Sequence, residues 1–269
     1  MFFPFAIDAE RLTIWPFVTW ILVAVNVLVF AATFHLSPLQ QQWVVCQYGF
    51  LPARLGQRTT DGPMAVPVEF KGRDPDGKPL TLRGTVSLPP STSRTAFSFF
   101  TYMFLHGSWM HLLGNVWFLW LFGRLIEEQL GHTHFLLFYL LGGVLAAVAH
   151  WAVIPSDMRP VVGASGAVAA ILGAFAVLKP KAQVKTLVFL LVYFTDIELP
   201  ALLLLTLWFV GQAVSGLGMF SGFSFLASAA SNVAWWAHVG GFVAGIWIML
   251  GWLRWKEGTP HASSHPAEN

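Results

Sequence analysis

The sequence predicts an all-α polytopic membrane protein: a bundle of six transmembrane helices with a small soluble insertion in its first loop. Three observations support this. The 269 residues are 56% hydrophobic and only 10% charged, whereas soluble domains carry about 25% charged residues. The apolar residues gather in long segments, and the charges fall between them. We therefore treat residues 1–269 as one membrane domain.

Six segments approach the roughly 20 apolar residues that a membrane-spanning helix needs. They are Phe17–Leu36, Phe99–Phe122, Phe135–Ile154, Val162–Leu178, Leu199–Leu217 and Ala234–Leu253. The first is longer than the apolar core of a signal peptide, about 7–15 residues, so we expect a retained anchor. A shorter apolar stretch, Thr186–Phe194, is expected to be re-entrant or interfacial, or to begin a bent fifth span.

The positions of Lys and Arg predict the orientation of these spans. Among the short loops expected outside, only Arg159 is basic, and long loops are not counted. With both termini in the cytoplasm, the inner side carries Arg11, Arg124, Lys179, Lys181, Lys185, Arg254 and Lys256. No Arg- and Ser-rich transit peptide is seen. These features favour a bacterial plasma membrane.

The first loop, residues 37–96, is the one soluble excursion, and residues 258–269 form a polar C-terminal tail. Two stretches rich in β-forming residues, Val66–Phe70 and Leu80–Leu88, flank a strong turn signal between Arg73 and Pro79. This pattern predicts a β-hairpin. The run Pro89–Ser93 is interpreted as a linker.

Composition also excludes several partners and cofactors. A net charge of +2 gives no basic surface for nucleic acid. The single cysteine, Cys46, excludes an intramolecular disulfide and a cysteine-based zinc cluster. The 13 Trp and 24 Phe residues suit a lipid bilayer. We expect no metal and no cofactor, and the sequence leaves the oligomeric state open.

Polar residues at membrane depth are costly and are therefore functional candidates. The first cluster lies in the second segment, where His111 and Asn115 are four residues apart and share one helix face. His106 lies five residues before His111 and does not share that face closely. The alternative interpretation is that these groups only join helices by hydrogen bonds.

A second cluster, Gly163-Ala164-Ser165-Gly166, opens the fourth segment. Unpaired backbone N–H groups and the helix dipole favour an anion at a helix N-terminus. An oxyanion that formed beside Ser165 would be stabilised by both. A serine among small residues in a membrane helix is more often a packing residue, so this motif alone is weak.

The third cluster lies in the sixth segment, where His238, Gly241 and Gly245 follow one another at i, i+3 and i+7. Gly241 and Gly245 form a G-x-x-x-G contact face. The fourth segment offers a matching stripe of small residues: Gly166, Ala170 and Gly173. If the two stripes meet, His238 lies beside Ser165. Otherwise the histidine is incidental to a helix contact.

Together the clusters indicate a site for acyl transfer. A serine hydroxyl becomes a good nucleophile when a base within about 2.6–3.2 Å takes its proton, and His238 is a candidate base. The Ser165 N–H, the Asn115 amide and the His111 ring are candidate donors to an oxyanion. The sequence places no Asp or Glu at membrane depth near His238, so a buried triad is not expected.

These motifs resemble those of the rhomboid family of intramembrane serine proteases. The family pattern is H-x-x-x-x-H-x-x-x-N in the second span, G-x-S-G opening the fourth and A-H-x-x-G-x-x-x-G in the sixth, and all three occur here in order. The segment Phe122–Gly131 is similar to the family's turn after the second span. The resemblance covers most of the chain from Phe97 to Gly251.

The resemblance implies Ser165 as nucleophile and His238 as general base. It implies an oxyanion hole at Asn115, His111 and Gly163, with His106 organising the first loop. Gly166, Gly241 and Gly245 are expected to be structural. The implied substrate is a transmembrane helix of another protein, which must unwind near the cut. One departure is Ala169, where some members place a tyrosine under the histidine; Trp235 or Trp236 is a candidate substitute.

Three alternatives stay open. A catalytically weak or inactive family member would bind membrane helices in quality control, although such members typically lose the serine or the histidine. A metalloenzyme would need His106, His111 and His238 together, and the H-E-x-x-H motif is absent from the sequence. A transporter would need charged pairs at the midplane. Gln212 and Ser215 are expected to line a lateral gate or to hydrogen-bond neighbouring helices.

Overall fold

The computed structural model describes residues 2–8, 12–73, 76, 78–190, 193–217 and 233–258. The α-helices are α1 Phe17–Phe34, α2 Pro38–Tyr48, α3 Thr92–Thr101, α4 Trp109–Phe118, α5 Arg124–Leu130, α6 His132–Val153, α7 Ser165–Leu178, α8 Ala201–Gly216 and α9 Trp235–Gly258. The strands are β1 Phe2–Ile7, β2 Met64–Arg73, β3 Pro79–Leu88, β4 Gln183–Leu190 and β5 Tyr193–Pro200. The polar tail beyond Gly258 lies outside the described residues.

The mostly helical fold class is confirmed, with several apolar helices. In the described part, α1, α6 and α9 are long and apolar enough to cross a membrane, and α7 and α8 are apolar but shorter. These five helices coincide with the first, third, fourth, fifth and sixth predicted segments. The total of six spans stays a prediction.

The predicted start of the second span at Phe99 is wrong. The chain leaves α3 at Thr101, passes through a short 3₁₀ helix and begins α4 only at Trp109. The Ser108 hydroxyl caps α4 by accepting a hydrogen bond from the His111 backbone N–H at 3.2 Å. From Trp109 the helix runs through a π-helical turn to Leu130, and Gly131, with φ of 74°, ends it.

Helix α7 lies at the centre of the protein. Every residue from Gly166 to Ala176 is buried, which for a helix means that all its faces are covered by protein. Helices α6, α8 and α9 pack around it. Small side chains permit this: a Cβ atom added at Gly142 of α6 would lie 2.6 Å from the Cβ atom of Ala170.

The hairpin in the first loop is confirmed. Strands β2 and β3 pair antiparallel, with Met64 opposite Leu88 and Val66 opposite Val86. The inward side chains form a small core with α2, whose members are Cys46, Leu51, Val66, Val68, Val86 and Leu88. The linker is shorter than the predicted Pro89–Ser93, because α3 already begins at Thr92. The Ser91 hydroxyl caps this helix by accepting a hydrogen bond from the Arg94 N–H.

The described residues of Thr186–Phe194 do not begin a bent fifth span, and an interfacial position stays a prediction. This stretch belongs to an antiparallel hairpin of β4 and β5, and β1 adds a third strand beside β4. Lys185 pairs with Glu198, and Pro4 pairs with Thr186. The backbone therefore finds its hydrogen bonds in a sheet, and α8 begins straight after this sheet, at Ala201.

Two adjacent carboxylates in the middle of α5, Glu127 and Glu128, hold the start of α1 and the residues just before it. Glu127 is fully buried and accepts hydrogen bonds from the backbone N–H groups of Val18 and Thr19 at 3.0 and 2.8 Å, and from the Thr19 hydroxyl at 2.6 Å. Glu128 accepts from the backbone N–H groups of Thr13 and Ile14. These contacts satisfy the donors that a helix N-terminus leaves unpaired.

Candidate active site

The two small-residue stripes meet. A Cβ atom added at Gly241 or at Gly245 would overlap the backbone carbonyl of Gly166 or of Ala170, and one added at Gly173 would overlap the Phe242 carbonyl. Helices α7 and α9 therefore touch backbone to backbone. This contact places the first residue of α7 beside the first turns of α9.

Ser165 and His238 lie within hydrogen-bonding distance at this contact. Ser165 is the first residue of α7, and its Oγ lies 2.8 Å from Nε2 of His238. Both residues are half-buried, so a reactant could reach them. The separation is within the range in which an imidazole can accept the proton of a hydroxyl.

The edge of the His238 ring that carries Nδ1 contacts α8. The Nδ1 atom lies 2.6 Å from Oε1 of Gln212. The Trp208 ring centroid is 6.0 Å from that of His238, with 31° between the planes, and Trp235 stands edge-on at 6.1 Å. Trp235, one of the two aromatics expected to take the tyrosine's place under the histidine, therefore meets the ring at 89° and does not stack on it. Gln212, expected from the sequence to line a lateral gate or to hydrogen-bond a neighbouring helix, hydrogen-bonds His238 of α9. The contact of Trp208 was not predicted, because nothing local identifies its partner.

The three residues expected at an oxyanion hole lie together. Gly163 has a φ of 119°, and a Cβ atom there would lie 2.6 Å from His111 Nε2 and 3.6 Å from Asn115 Nδ2. Asn115 is buried and donates one hydrogen bond to the His111 carbonyl at 3.0 Å. The helical spacing of His111 and Asn115 thus brings the imidazole ring and the side-chain amide together beside Gly163. This glycine lies two residues before Ser165 in the sequence.

Tyr102 braces the segment that carries Gly163. Its carbonyl accepts a hydrogen bond from the Gly163 N–H at 2.9 Å, and its hydroxyl donates to the Gly143 carbonyl at 2.7 Å. A Cβ atom added at Gly166 would lie 3.0 Å from the same hydroxyl. The sequence analysis did not single out Tyr102, since it lies in an apolar run that resembles a membrane span.

His106 lies in the segment between the 3₁₀ helix and α4 rather than on the second span. It is buried, and its ring centroid is 5.1 Å from that of His111. Beside it is a cavity of about 340 Å³, lined by residues from α1, α2 and the start of α4. Among the described residues, no three His, Cys, Asp or Glu side chains are close enough together to hold a metal ion.

The loop before Ser165 is tied to the first loop. The Ala53 N–H donates to the Asp157 carbonyl at 3.1 Å, and Phe50 and Val161 exchange backbone hydrogen bonds of 2.9 and 2.8 Å. Burial raises the pKa of the Asp157 carboxyl, but hydrogen bonds and charge from Arg159 outweigh it and leave the pKa below its usual value. The nearby His150 is buried, with Nε2 3.7 Å from Asp157 Oδ2.

The fold and this site define a polytopic helical membrane protein with a serine and a histidine paired near the N-termini of two contacting helices. The family model described as "Rhomboid domain" matches residues 93–256. The chain belongs to the rhomboid family, and it is an integral membrane protein.

Three relatives illustrate the similarity. Rhomboid-like protein 11, chloroplastic, of Arabidopsis thaliana is 44% identical over 72 residues, which cover 27% of this chain and 25% of that protein. Presenilin-associated rhomboid-like protein, mitochondrial, of Mus musculus is 31% identical over 191 residues, 64% of this chain and 46% of the relative. Presenilin-associated rhomboid-like protein A, mitochondrial, of Danio rerio is 28% identical over 168 residues, which cover 58% of this chain and 38% of that protein. The chain spans less than half the length of these relatives.

Proposed function

We propose that this protein is a serine endopeptidase that cleaves transmembrane segments of other membrane proteins. The observation that supports this best is the 2.8 Å separation between Ser165 Oγ and His238 Nε2. An imidazole at this distance can take the hydroxyl proton as the oxygen attacks a peptide carbonyl.

The chemistry follows from the positions of the side chains. His238 Nε2 accepts the Ser165 proton while Oγ bonds to the carbonyl carbon, and the carbonyl oxygen becomes an oxyanion. Donors at Asn115 and His111, with the unpaired N–H groups at the start of α7, are positioned to stabilise that charge. The imidazolium then protonates the departing amine. Water hydrolyses the acyl-enzyme by the same steps, with His238 again as base.

The substrate class follows from the surroundings of the site. Ser165 and His238 are half-buried beside apolar helices, so a peptide reaches them as an extended strand from another chain's membrane segment. A helical backbone hides its carbonyls in hydrogen bonds, so the substrate helix must unwind near the cut. Glycine and other weak helix formers lower that cost by up to about 1 kcal/mol each.

A second candidate is a weakly active or inactive protein that binds membrane helices. The relatives named above are called rhomboid-like, and none of the three is named a protease. The chain retains both Ser165 and His238, which a protein that only binds helices would not need. Cleavage of a substrate, or its absence, separates the two functions.

The host membrane and orientation are further parts of the proposal. The basic residues favour cytoplasmic termini, and this charge pattern is the sole support for a bacterial plasma membrane. The names of the relatives point instead to chloroplast and mitochondrion. Protease protection of tagged termini in the native membrane distinguishes the orientations.

The test is cleavage of a reporter with a helix-destabilised transmembrane segment, reconstituted with the protein in liposomes. We expect the wild type to cleave, and Ser165→Ala and His238→Ala to lose about 10³-fold or more of kcat. Ser215→Ala serves as the matched control, because among the described residues its hydroxyl donates within its own helix, to the Gly211 carbonyl at 2.7 Å. Equal cleavage by Ser165→Ala and wild type would contradict the proposal. Wild-type binding of the reporter without cleavage would favour the second candidate.

A further inference from the structure

Gln212 lies against the side of the His238 ring that faces away from Ser165. Its Oε1 atom is 2.6 Å from His238 Nδ1, while His238 Nε2 is 2.8 Å from Ser165 Oγ. The three side chains form a continuous row of hydrogen-bonding groups. They come from three different helices, α7, α8 and α9.

A neutral imidazole carries a proton on one ring nitrogen and a lone pair on the other, and the partner of one nitrogen decides which is which. An amide oxygen can only accept a hydrogen bond. Because Oε1 of Gln212 faces Nδ1, it favours the tautomer that carries the proton on Nδ1, in which the lone pair of Nε2 faces the Ser165 hydroxyl. With the proton on Nε2 instead, His238 could not act as a base toward Ser165.

We propose, on the basis of the protease function proposed above, that Gln212 is a positioning residue for His238. Its side-chain oxygen fixes the ring in the tautomer and the orientation that let Nε2 accept the Ser165 proton. It also accepts a stronger hydrogen bond from Nδ1 once the ring is charged, because charge-assisted hydrogen bonds are about twice as strong as neutral ones.

The rest of α8 supports this role. Trp208 precedes Gln212 by four residues and so shares its helix face, and its ring lies along that of His238 at 6.0 Å and 31°. Phe209 stacks on Phe242 of α9 with ring centroids 4.8 Å apart. Helix α8 therefore contacts the imidazole with one tryptophan ring and one hydrogen-bond acceptor. The stacked phenylalanine pair packs α8 against α9.

An amide suits this position better than a carboxylate. The site lies among apolar helices, where an ionised side chain costs several kcal/mol unless it is paired. Glutamine orients the ring without that cost. The arrangement is a serine–histidine pair completed by a neutral third member, which could not be foreseen by searching for an acidic residue.

The experiment compares Gln212→Met, which keeps the chain length but loses the acceptor, with Gln212→Glu, which keeps an acceptor. The readouts are kcat and KM for the liposome reporter, and the second-order rate constant for labelling of Ser165 by a small fluorophosphonate. We expect Gln212→Met to lower kcat and the labelling rate constant by about 10- to 100-fold. This is the effect expected from the loss of one hydrogen bond to a charged ring. KM should change less than about twofold. Gln212→Glu should restore most of the rate, and Gly251→Ala, whose new Cβ atom meets no described atom within 4 Å, should match the wild type.

Labelling separates positioning from a merely structural role. A structural defect lowers the fraction of protein that is finally labelled, but leaves the rate constant of the labelled fraction unchanged, and that outcome would overturn the proposal. If Gln212→Met does not fold, the wild type itself provides the test. The ¹⁵N shifts of neutral His238 should place its proton on Nδ1, and a proton on Nε2 would contradict the role.

The two proposals fail in different ways. If the wild type depends on Ser165 but Gln212→Met matches it in kcat and labelling rate, only the positioning role is lost. If the wild type neither cleaves the reporter nor labels at Ser165, both proposals are overturned.

Discussion

The α-carbon of Gly245 lies so close to the carbonyl of Ala170 that one added methyl group would overlap the Ala170 backbone. Gly245 lies on α9 two turns beyond His238. The contact sets the spacing of the two helices, and with it the separation of His238 and Ser165.

Gly245→Ala is therefore expected to lower both activity and stability. The methyl meets backbone atoms, which cannot rotate aside, so α9 must shift; overpacking of this kind typically costs about 1–3 kcal/mol. SDS-induced unfolding measures the stability, and fluorophosphonate labelling reports the state of the site. Gly251→Ala is the matched control on α9, since among the described residues a Cβ atom there meets nothing within 4 Å. Equal behaviour of the two variants would show that the contact does not set the site.

Gly163→Ala is expected to reduce catalysis more than stability. A side chain at a φ of 119° is strained, and its Cβ atom would lie 2.6 Å from the His111 ring. The strain costs about 1–2 kcal/mol, and displacement of His111 removes an oxyanion donor, which costs about 10²- to 10³-fold in kcat. Gly131→Ala tests the backbone effect alone: its φ is 74°, with no described atom within 4 Å of the new Cβ. A similar kcat for both variants would contradict the assignment of His111 to the oxyanion hole.

Glu127→Ala is expected to destabilise the protein without changing the rate at correctly folded sites. The change leaves the N–H groups of Val18 and Thr19 without their buried acceptor, and each unpaired donor costs about 1–3 kcal/mol. Glu128→Ala removes a similar set of hydrogen bonds from a more exposed position and should cost less. SDS titration of both variants measures the difference. A larger loss for Glu128→Ala would show that burial does not decide the strength of this anchor.

The Asp157 carboxylate gives the stability of the protein a pH dependence. Its folded-state pKa lies below its ordinary value, chiefly because hydrogen bonds from Arg159 outweigh the effect of burial. The stabilisation is present above the unfolded-state pKa, about 3.9, and is lost as the pH falls through the folded-state value. Asp157→Asn should lower stability at pH 7 and flatten its decline in acid. An acid decline identical in wild type and variant would contradict this assignment.

Much of the fold and the core of the site follows from helical spacing. His111 with Asn115, and His238 with Gly241 and Gly245, could be placed on shared faces because one or two helical turns separate them. The hairpin was predictable because its turn residues follow each other in sequence. In each case the information is local, and small residues identify which faces can touch.

The features that were missed depend on distant partners. Strand β4 is apolar, so it resembled a re-entrant piece or the start of a bent span, and its pairing with β1 joins positions far apart in the chain. The cap at Ser108 was missed because the apolar stretches on both sides of His106-Gly107-Ser108 resemble one continuous span. Gln212 contacts a histidine 26 residues away on another helix. A single glutamine in an apolar helix does not identify its partner.

The most direct test of the central claim is the site of covalent labelling by a fluorophosphonate, read by peptide mass spectrometry on the folded protein in detergent. The account predicts one adduct, on Ser165, that forms in the wild type and at least about 100-fold more slowly in His238→Ala. An adduct on another serine, or equal labelling of Ser165 with and without His238, would contradict it.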